Sequence, residues 1–322
     1  MKTIKWGIIG CGKIANKFAT DLSTLPHTTL QAVASRDHKR ASVFAKKHNA
    51  STAYGSYEAL AKDNDIDAVY IATPHSFHAS HTILCLTHKK AVLCEKPFAM
   101  NANEVEQMIA TAKKNNTLLM EALWTYFLPQ YKYVLALLES KKYGKLNKVV
   151  ADFGFYLPYD LNNRLFLKEV GGGSLLDIGI YTIFAALTTL GTPEKIKATA
   201  NFFENGADKD CTMHFTYKNA TATLYSSIAE ETKTEAIFVC DNATITINTR
   251  FHEPSSITIS NESSTEIIDF SEETIGYKHE IVHFNQLVRE GKKESDVMTF
   301  KFSRELIALL DQVRALIGLE YH

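Results

Sequence analysis

Gly10-Cys11-Gly12-Lys13-Ile14-Ala15 follows the short apolar run Ile4–Ile9, and this junction decides how the first part of the chain folds. The apolar run reads as a buried strand, and helical spacing through Ile14, Phe18 and Leu22 takes over directly after the glycines. The first glycine suits a tight turn, and the second lets another group approach the backbone. The small Ala15 keeps helix and strand close. The free N–H groups of such a helix N-terminus, together with its macrodipole, favour an anion. In isolation the motif is a tight turn; its weight comes from its surroundings.

Outward from that junction, residues 30–34, 68–72 and 91–94 are further short apolar runs. Helical spacing appears over 40–48, through Ile83 and over 105–112, and residues 118–121 close the series. Strands of this kind alternating with helices predict a doubly wound parallel sheet covered on both faces, an α/β Rossmann domain over 1–122. From about residue 145 the texture changes. A strand of alternating character spans 149–156, a loop follows over 157–170, and Gly171-Gly172-Gly173 turns the chain. Ser174 is placed to cap a helix reaching Leu190. Several β-rich stretches then run from Ile196 to Phe270, some separated by turn-like pairs such as Lys218-Asn219 and Asp241-Asn242. Helical patterns over 278–289 and 303–316 end the chain. These features predict an α+β domain over 123–322 with an open, mostly antiparallel sheet.

At 322 residues the chain has room for two cores, and its 45% hydrophobic and 22% charged content is that of a globular protein. Lys plus Arg (35) balances Asp plus Glu (36), which argues against a nucleic-acid partner, since that grip needs a basic excess. Five cysteines (Cys11, Cys85, Cys94, Cys211 and Cys240) form no C-x-x-C pair and read as reduced thiols. The first apolar stretch is too short for a signal peptide, and no run approaches the ~20 apolar residues of a membrane span. The expectation is a cytoplasmic protein without membrane association.

The tip of the second strand carries Ser35 and Arg36, then Asp37, Lys39 and Arg40. At this position an acidic residue suits a ribose 2′-hydroxyl, whereas a 2′-phosphate needs cations. The planar fork of Arg36 favours NADP. Asp37 would suit NAD if it turned inward, and it also reads as a helix N-cap. Lys96, before Pro97, stands at the carboxyl end of a parallel strand, the edge where open α/β sheets bind ligands. Asp177 and Tyr181 are four residues apart and share a helical face. Gly179 between them costs a helix about 1 kcal/mol relative to Ala, which makes sense if another group, such as a cofactor ring, must come close. His75, His78 and His81 are spaced by three, yet no nearby carboxylate or cysteine completes a metal set, so no metal is expected.

Together these features resemble the glucose–fructose oxidoreductase and inositol dehydrogenase (Gfo/Idh/MocA) family over nearly the whole chain. The resemblance rests on residues 10–15, Ala72-Thr73-Pro74, Glu95-Lys96-Pro97 and residues 171–181. Glu121-Ala122-Leu123-Trp124 and residues 172–181 are most similar to the branch of dimeric dihydrodiol and NADP-dependent D-xylose dehydrogenases. That resemblance implies NADP or NAD held by Gly10, Gly12, Lys13, Ile14, Ser35, Arg36, Thr73, Pro74, His75, Glu95, Lys96 and Trp124. It implies that Tyr181 exchanges the substrate proton, that Lys96 sits beside the nicotinamide, and that Asp177 holds substrate or orients the pair. Phe153, Phe155 and Tyr156 would join Trp124 in walling the substrate cleft, with Asn163 and Arg164 on a covering loop. Tyr126 stands where relatives often carry arginine in W-T-R-F, which leaves the substrate open.

The implied activity is hydride transfer between nicotinamide and a sugar, polyol or trans-dihydrodiol hydroxyl. Two other functions remain on the same fold: a non-catalytic NADP-binding regulator, and an epimerase- or lyase-type reaction that recycles its cofactor. A homodimer through the open sheet is expected, because a bare apolar sheet face is costly.

Overall fold

The structure, a computed structural model, describes residues 1–321. The chain divides into two compact units, Met1–Trp124 with Thr274–Arg304, and Thr125–Glu273 with the residues from Glu305 onward. This differs from a simple division at 122/123, because residues 274–304 return to the first unit.

In the first unit, strands and helices alternate as β1 (Ile4–Ile9), α1 (Lys13–Ser23), β2 (Thr28–Ala34), α2 (His38–His48), β3 (Thr52–Tyr54) and α3 (Tyr57–Lys62). They continue as β4 (Ala68–Ile71), α4 (His78–Thr87), β5 (Ala91–Glu95), α5 (Ala102–Asn115) and β6 (Leu119–Ala122). The six strands form a parallel sheet in the order β3-β2-β1-β4-β5-β6. Every residue of β4 and β5 is buried, which is why their sequences are runs without alternation. Short polar side chains start the helices: Asp37 caps α2, Ser56 caps α3 and Asn101 caps α5.

The core of this unit centres on Trp6, Phe18 and Tyr70, all fully buried. The Phe18 and Tyr70 rings stack with centroids 3.7 Å apart, and Trp6 meets Phe18 at 5.4 Å. Burying each such ring contributes about 1.5–3 kcal/mol. The returning segment completes this core. Phe284 lies 5.2 Å from Trp6, and Trp6 Nε1 donates to Asn285 Oδ1 at 3.0 Å. Asp21 of α1 accepts from the backbone N–H groups of Ile275, Gly276 and Lys278 and from the Thr274 hydroxyl, at 2.8–3.2 Å. One buried carboxylate therefore receives the chain entering the next-to-last helix.

The second unit opens with α6 (Pro129–Ser140) and β7 (Leu146–Gly154). A π-helical turn over Leu175–Gly179 runs into α7 (Ile180–Leu190). Next come β8 (Lys195–Phe202), β9 (Asp208–Thr216), β10 (Thr221–Ser227), β11 (Ala236–Cys240), β12 (Thr244–Ile247), β13 (Ser256–Ser260) and β14 (Thr265–Asp269). The sheet order is β14-β13-β12-β11-β7-β10-β9-β8, and every pair is antiparallel except β7 with β10. α7 packs on β7 and β10, so residues such as Leu224, Met213 and Phe238 point inward and are buried. Their neighbours Thr223, Thr212 and Ile237 are half-buried on the open face. The closing helices are α8 (Lys278–Arg289), within the first unit, and α9 (Phe300–Ile317). Among the described residues, one helical run, Lys168–Leu190, is long and apolar enough to cross a membrane, and it is 94% buried inside the protein.

Candidate active site

In the first unit, the carboxyl ends of β1, β2, β4 and β5 bring Gly10–Gly12, Ser35–Arg36, Thr73–His75 and Glu95–Pro97 to one edge of the parallel sheet. Gly10 has φ +94°, and a Cβ there would sit 2.6 Å from the Ala72 carbonyl oxygen, so both conformation and space demand glycine. A Cβ on Gly12, by contrast, would meet nothing within 4 Å. Gly12 precedes α1, whose N-terminus has no side-chain cap and no acidic residue in its first turn. Gly12 thus leaves open space at the start of an uncapped helix, a kind of terminus that favours an anion. Lys13 is exposed beside it, and Ile14 is half-buried.

At the tip of β2, the Asp37 carboxylate is taken up as the N-cap of α2, accepting from Lys39 N at 2.9 Å and Arg40 N at 3.4 Å. Buried Ser35 accepts from Asp37 N at 3.3 Å. Arg36 is exposed with its guanidinium 5.8 Å from the Phe77 ring centroid. Arg40 is tied to the glycine turn by Nε donating to Cys11 O at 3.1 Å. With Asp37 engaged, cations define this corner.

His78 joins two neighbouring loops. It is fully buried, with Nδ1 2.8 Å from Pro97 O and Nε2 2.9 Å from Thr73 O. Carbonyl oxygens only accept, so a neutral imidazole donates to one of the two at a time. Buried His75 packs edge-on against it at 5.6 Å. Thr73 Oγ1 lies 3.0 Å from His81 Nδ1, and burial lowers the His81 pKa to about 4. The histidine spacing thus serves loop contacts.

The Lys96–Pro97 peptide is cis, and Lys96 is half-buried. The Glu95 carboxylate turns into the unit, accepting from the Tyr70 hydroxyl and, at 3.1 Å, from Lys96 N. Glu95 thereby holds the backbone of the lysine loop. Glu121 is buried and accepts from Phe98 N at 3.1 Å, while its Oε2 has no hydrogen-bond partner. Burial pushes its pKa up to about 7. Trp124 stacks on Tyr277 with centroids 4.4 Å apart. Tyr277 belongs to the returning segment, and nothing in its local sequence singles it out.

In the second unit, Tyr181 is 5% exposed and Asp177 is 8% exposed. Arg164 donates from Nη2 to Asp177 Oδ1 at 3.1 Å, so the loop cation meets the helix carboxylate. Tyr181 packs 5.6 Å from Phe153 and 5.1 Å from His252, and His252 stacks on Phe153 at 4.1 Å. Phe155 lies 6.3 Å from Phe153, whereas Tyr156 is exposed. His252 escaped the sequence reading because it lies in an irregular segment after β12, without a motif. Its place is fixed through its carbonyl, which accepts from Thr125 Oγ1 at 3.0 Å.

Asn163 Oδ1 caps the short turn that follows it, accepting from Leu165 N at 3.1 Å. Two expectations are corrected here. A Cβ on Gly179 would lie 2.9 Å from Ser226 Oγ, so that glycine makes room for β10 rather than for a cofactor ring. Ser174 already has helical dihedrals and provides no side-chain cap; its hydroxyl donates to Ser226 at 2.8 Å.

A family model described as an oxidoreductase family with an NAD-binding Rossmann fold matches residues 4–123, and one for a GFO/IDH/MocA C-terminal domain matches 131–246. A trans-1,2-dihydrobenzene-1,2-diol dehydrogenase of Xenopus tropicalis is 37% identical, covering 98% of this chain and 99% of that protein. A scyllo-inositol 2-dehydrogenase (NADP(+)) of Bacillus subtilis is 34% identical, with 99% and 98% covered. The 3-ketoreductase KijD10 of Actinomadura kijaniata, solved with NADP and TDP-benzene, superposes with a TM-score of 0.90 at 26% identity, covering 98% of each chain.

Proposed function

The chain belongs to the GFO/IDH/MocA oxidoreductase family, and from that premise we propose that it oxidises a hydroxyl of a sugar, polyol or trans-dihydrodiol with NADP. It is an NAD(P)-dependent oxidoreductase acting on CH–OH groups. The observation that carries the choice of NADP is the corner after β2, where Asp37 is consumed as a cap while Arg36 and Arg40 remain as cations. The α1 N-terminus behind Gly12 suits the pyrophosphate. Thr73, Pro74, His75 and Lys96 suit the nicotinamide end. The dinucleotide, when bound, supplies the two-electron acceptor.

The chain's own residues supply position and proton handling. Tyr181 takes the hydroxyl proton. The Lys96 ammonium favours the phenolate form of that tyrosine and balances negative charge developing on the substrate oxygen. Asp177, held by Arg164, accepts a hydrogen bond from a neighbouring substrate hydroxyl and so favours vicinal diols. Phe153 and His252 provide flat apolar surface for a ring.

The protein acts as a cytoplasmic homodimer. In support, all five cysteines are free and buried. The open face of the eight-stranded sheet carries half-buried Val150, Ile237 and Val239 and exposed Ile267, which a second copy would cover. Light scattering at micromolar concentration reads the dimer directly. For the activity, pentoses, hexoses, inositols and trans-dihydrodiols are offered with NADP and with NAD while the reduced-nicotinamide absorbance is followed. Stoichiometric reduction of NADP supports the reading. Substrate conversion without net absorbance change would replace it by a reaction that recycles its cofactor, and cofactor binding without any turnover would leave a regulator.

A further inference from the structure

The triple glycine before the π-helical turn has a structural partner outside the proposed site. Gly173 has φ +127°, and a Cβ on it would lie 1.9 Å from Asp208 Oδ1. Gly172 is equally confined, since its Cβ would lie 2.6 Å from Arg164 O and 2.7 Å from Leu167 O. The glycines therefore let a carboxyl from the first residue of β9 press against the chain where the helix begins. Asp208 is fully buried, and its Oδ2 accepts from Leu175 N at 2.6 Å. Leu175 is the first residue of the π turn that carries Asp177 and leads into α7 at Tyr181. Ser174, the residue expected to cap this helix, does not; a side chain more than thirty positions later does so instead.

We propose that Asp208 is a positioning residue: its carboxylate sets the first turn of the helix that presents Asp177 and Tyr181. This rests on the roles proposed above for those two residues. An anion at that end complements the helix macrodipole and satisfies N–H groups that would otherwise be buried without a partner. Its other oxygen, Oδ1, has no hydrogen-bond partner, so a neutral carboxyl with its proton there would bury an unsatisfied donor. Gain or loss of one proton thus changes how the turn is held.

The surroundings place that change near neutral pH. Burial pushes the Asp208 pKa up to about 7, against the backbone N–H groups of Leu175, Ser174 and Asp208 itself, with Asp210 adding to the rise. The other ionisable groups facing it are Cys211 on its own strand and Tyr321 of the C-terminal segment, whose hydroxyl lies 3.5 Å from Gly172 O. Asp177 and Arg314 act on Tyr321 from the helix and from α9. β10 contributes Ser226, which does not ionise. The folded-state value stands above the ordinary carboxyl range, so the carboxylate forms only as the pH rises through about 7, and holding that buried charge costs folding stability that the protonated form does not.

The experiment compares the parent, Asp208→Asn and Asp208→Ala as full-length proteins. Amide hydrogen exchange across residues 171–185, without substrate, is followed as a function of pH. In the parent, protection corrected for intrinsic exchange falls as the pH rises towards neutral, because the folded chain holds this proton more tightly than the unfolded chain; in Asp208→Asn it is flat, and in Asp208→Ala it is low throughout. For the substrate found by the panel, Asp208→Ala lowers kcat by ~10–100-fold, the scale of an ångström-sized misplacement, while NADP affinity stays within about twofold. Asp208→Asn recovers most of that loss and removes the step near pH 7 from the kcat profile. Parent-like protection in Asp208→Ala, or an unchanged kcat profile in Asp208→Asn, overturns the proposal. A parent that turns over no hydroxyl substrate would defeat the functional reading and leave the exchange result to decide on Asp208.

Discussion

The imidazole of His78 and the carbonyl of Pro97 are 2.8 Å apart, and the same ring reaches the Thr73 carbonyl with its other nitrogen. One buried side chain thereby couples the loop after β4 to the loop bearing Lys96. His78→Gln can donate from its amide to one of these oxygens in the ring's place, and His78→Leu to neither. Each buried hydrogen bond lost costs about 1–3 kcal/mol. NADP affinity should fall in the order parent, His78→Gln, His78→Leu, with the last weakened by roughly 10–100-fold. Fluorescence titration of NADPH reads this, and equal affinity in all three would show that the two loops are held by other means.

Arg36→Ala should weaken NADP much more than NAD, because only NADP carries the phosphate that a guanidinium neutralises. The loss of a charged hydrogen-bonded contact amounts to about 1.5–3 kcal/mol, or roughly 10–150-fold in Kd. Asp37→Ala serves as the contrast. Its carboxylate is committed to α2, so this variant should lose stability and leave the ratio of NADP to NAD affinity near the parent's. Equal losses for both cofactors in Arg36→Ala would reject the phosphate assignment.

A free tyrosine ionises near pH ~10, too high for an efficient base at neutral pH without a cation's help. Tyr181→Phe should lower turnover by roughly 10²–10⁴-fold with cofactor affinity close to the parent's. Lys96→Met should also slow turnover, and the double variant should lose less than the two single losses combined, as for groups that act as a unit. Steady-state rates of the four proteins provide the test. Near-parent turnover in Tyr181→Phe would falsify the relay and direct attention to Asp177.

Glu121 gives a stability signature. Its folded-state pKa of about 7 lies above the ordinary carboxyl value near ~4.3, so the folded chain binds this proton more tightly than the unfolded chain. Its contribution is most favourable below that ordinary range and declines as the pH rises towards 7. Glu121→Gln should therefore gain in Tm relative to the parent on going from pH 4 to pH 8. Thermal unfolding at the two pH values measures the difference, and a gap that stays constant contradicts a buried neutral carboxyl.

The parallel sheet was legible because its central strands are buried on both faces, and a run such as Ala91–Glu95 has no other ready reading. The glycine junction was legible because Gly10 adopts φ +94°, a conformation local to its turn that favours glycine, in addition to its tertiary contact with Ala72. β3 and α3 left no clear signal: β3 has three residues, none of them buried, and α3 has only six. α6 went unread as well, although its proline sits at a position that suits a helix start. The partners that define the site's detail were the least visible. Asp208 for Leu175, Ser226 for Gly179 and His252 for Tyr181 are tertiary contacts between segments far apart in sequence. A local pattern can show that Gly179 is expensive, and only the fold shows for whom the room was made.

The hydrogen bonds from residues 274–278 to Asp21 also impose an order on synthesis. Residues 1–124 leave the ribosome first, with Trp6 and Phe18 already present, yet the segment that supplies Phe284 and Asn285 to Trp6 follows the entire eight-stranded sheet. The nascent nucleotide-binding half must wait with one side of its core open while the other half is made. Truncation after residue 124 removes the closing piece of a unit whose family signature lies wholly upstream. The segment 274–304, with α8 at its centre, thus acts as the latch of the domain that was begun before it.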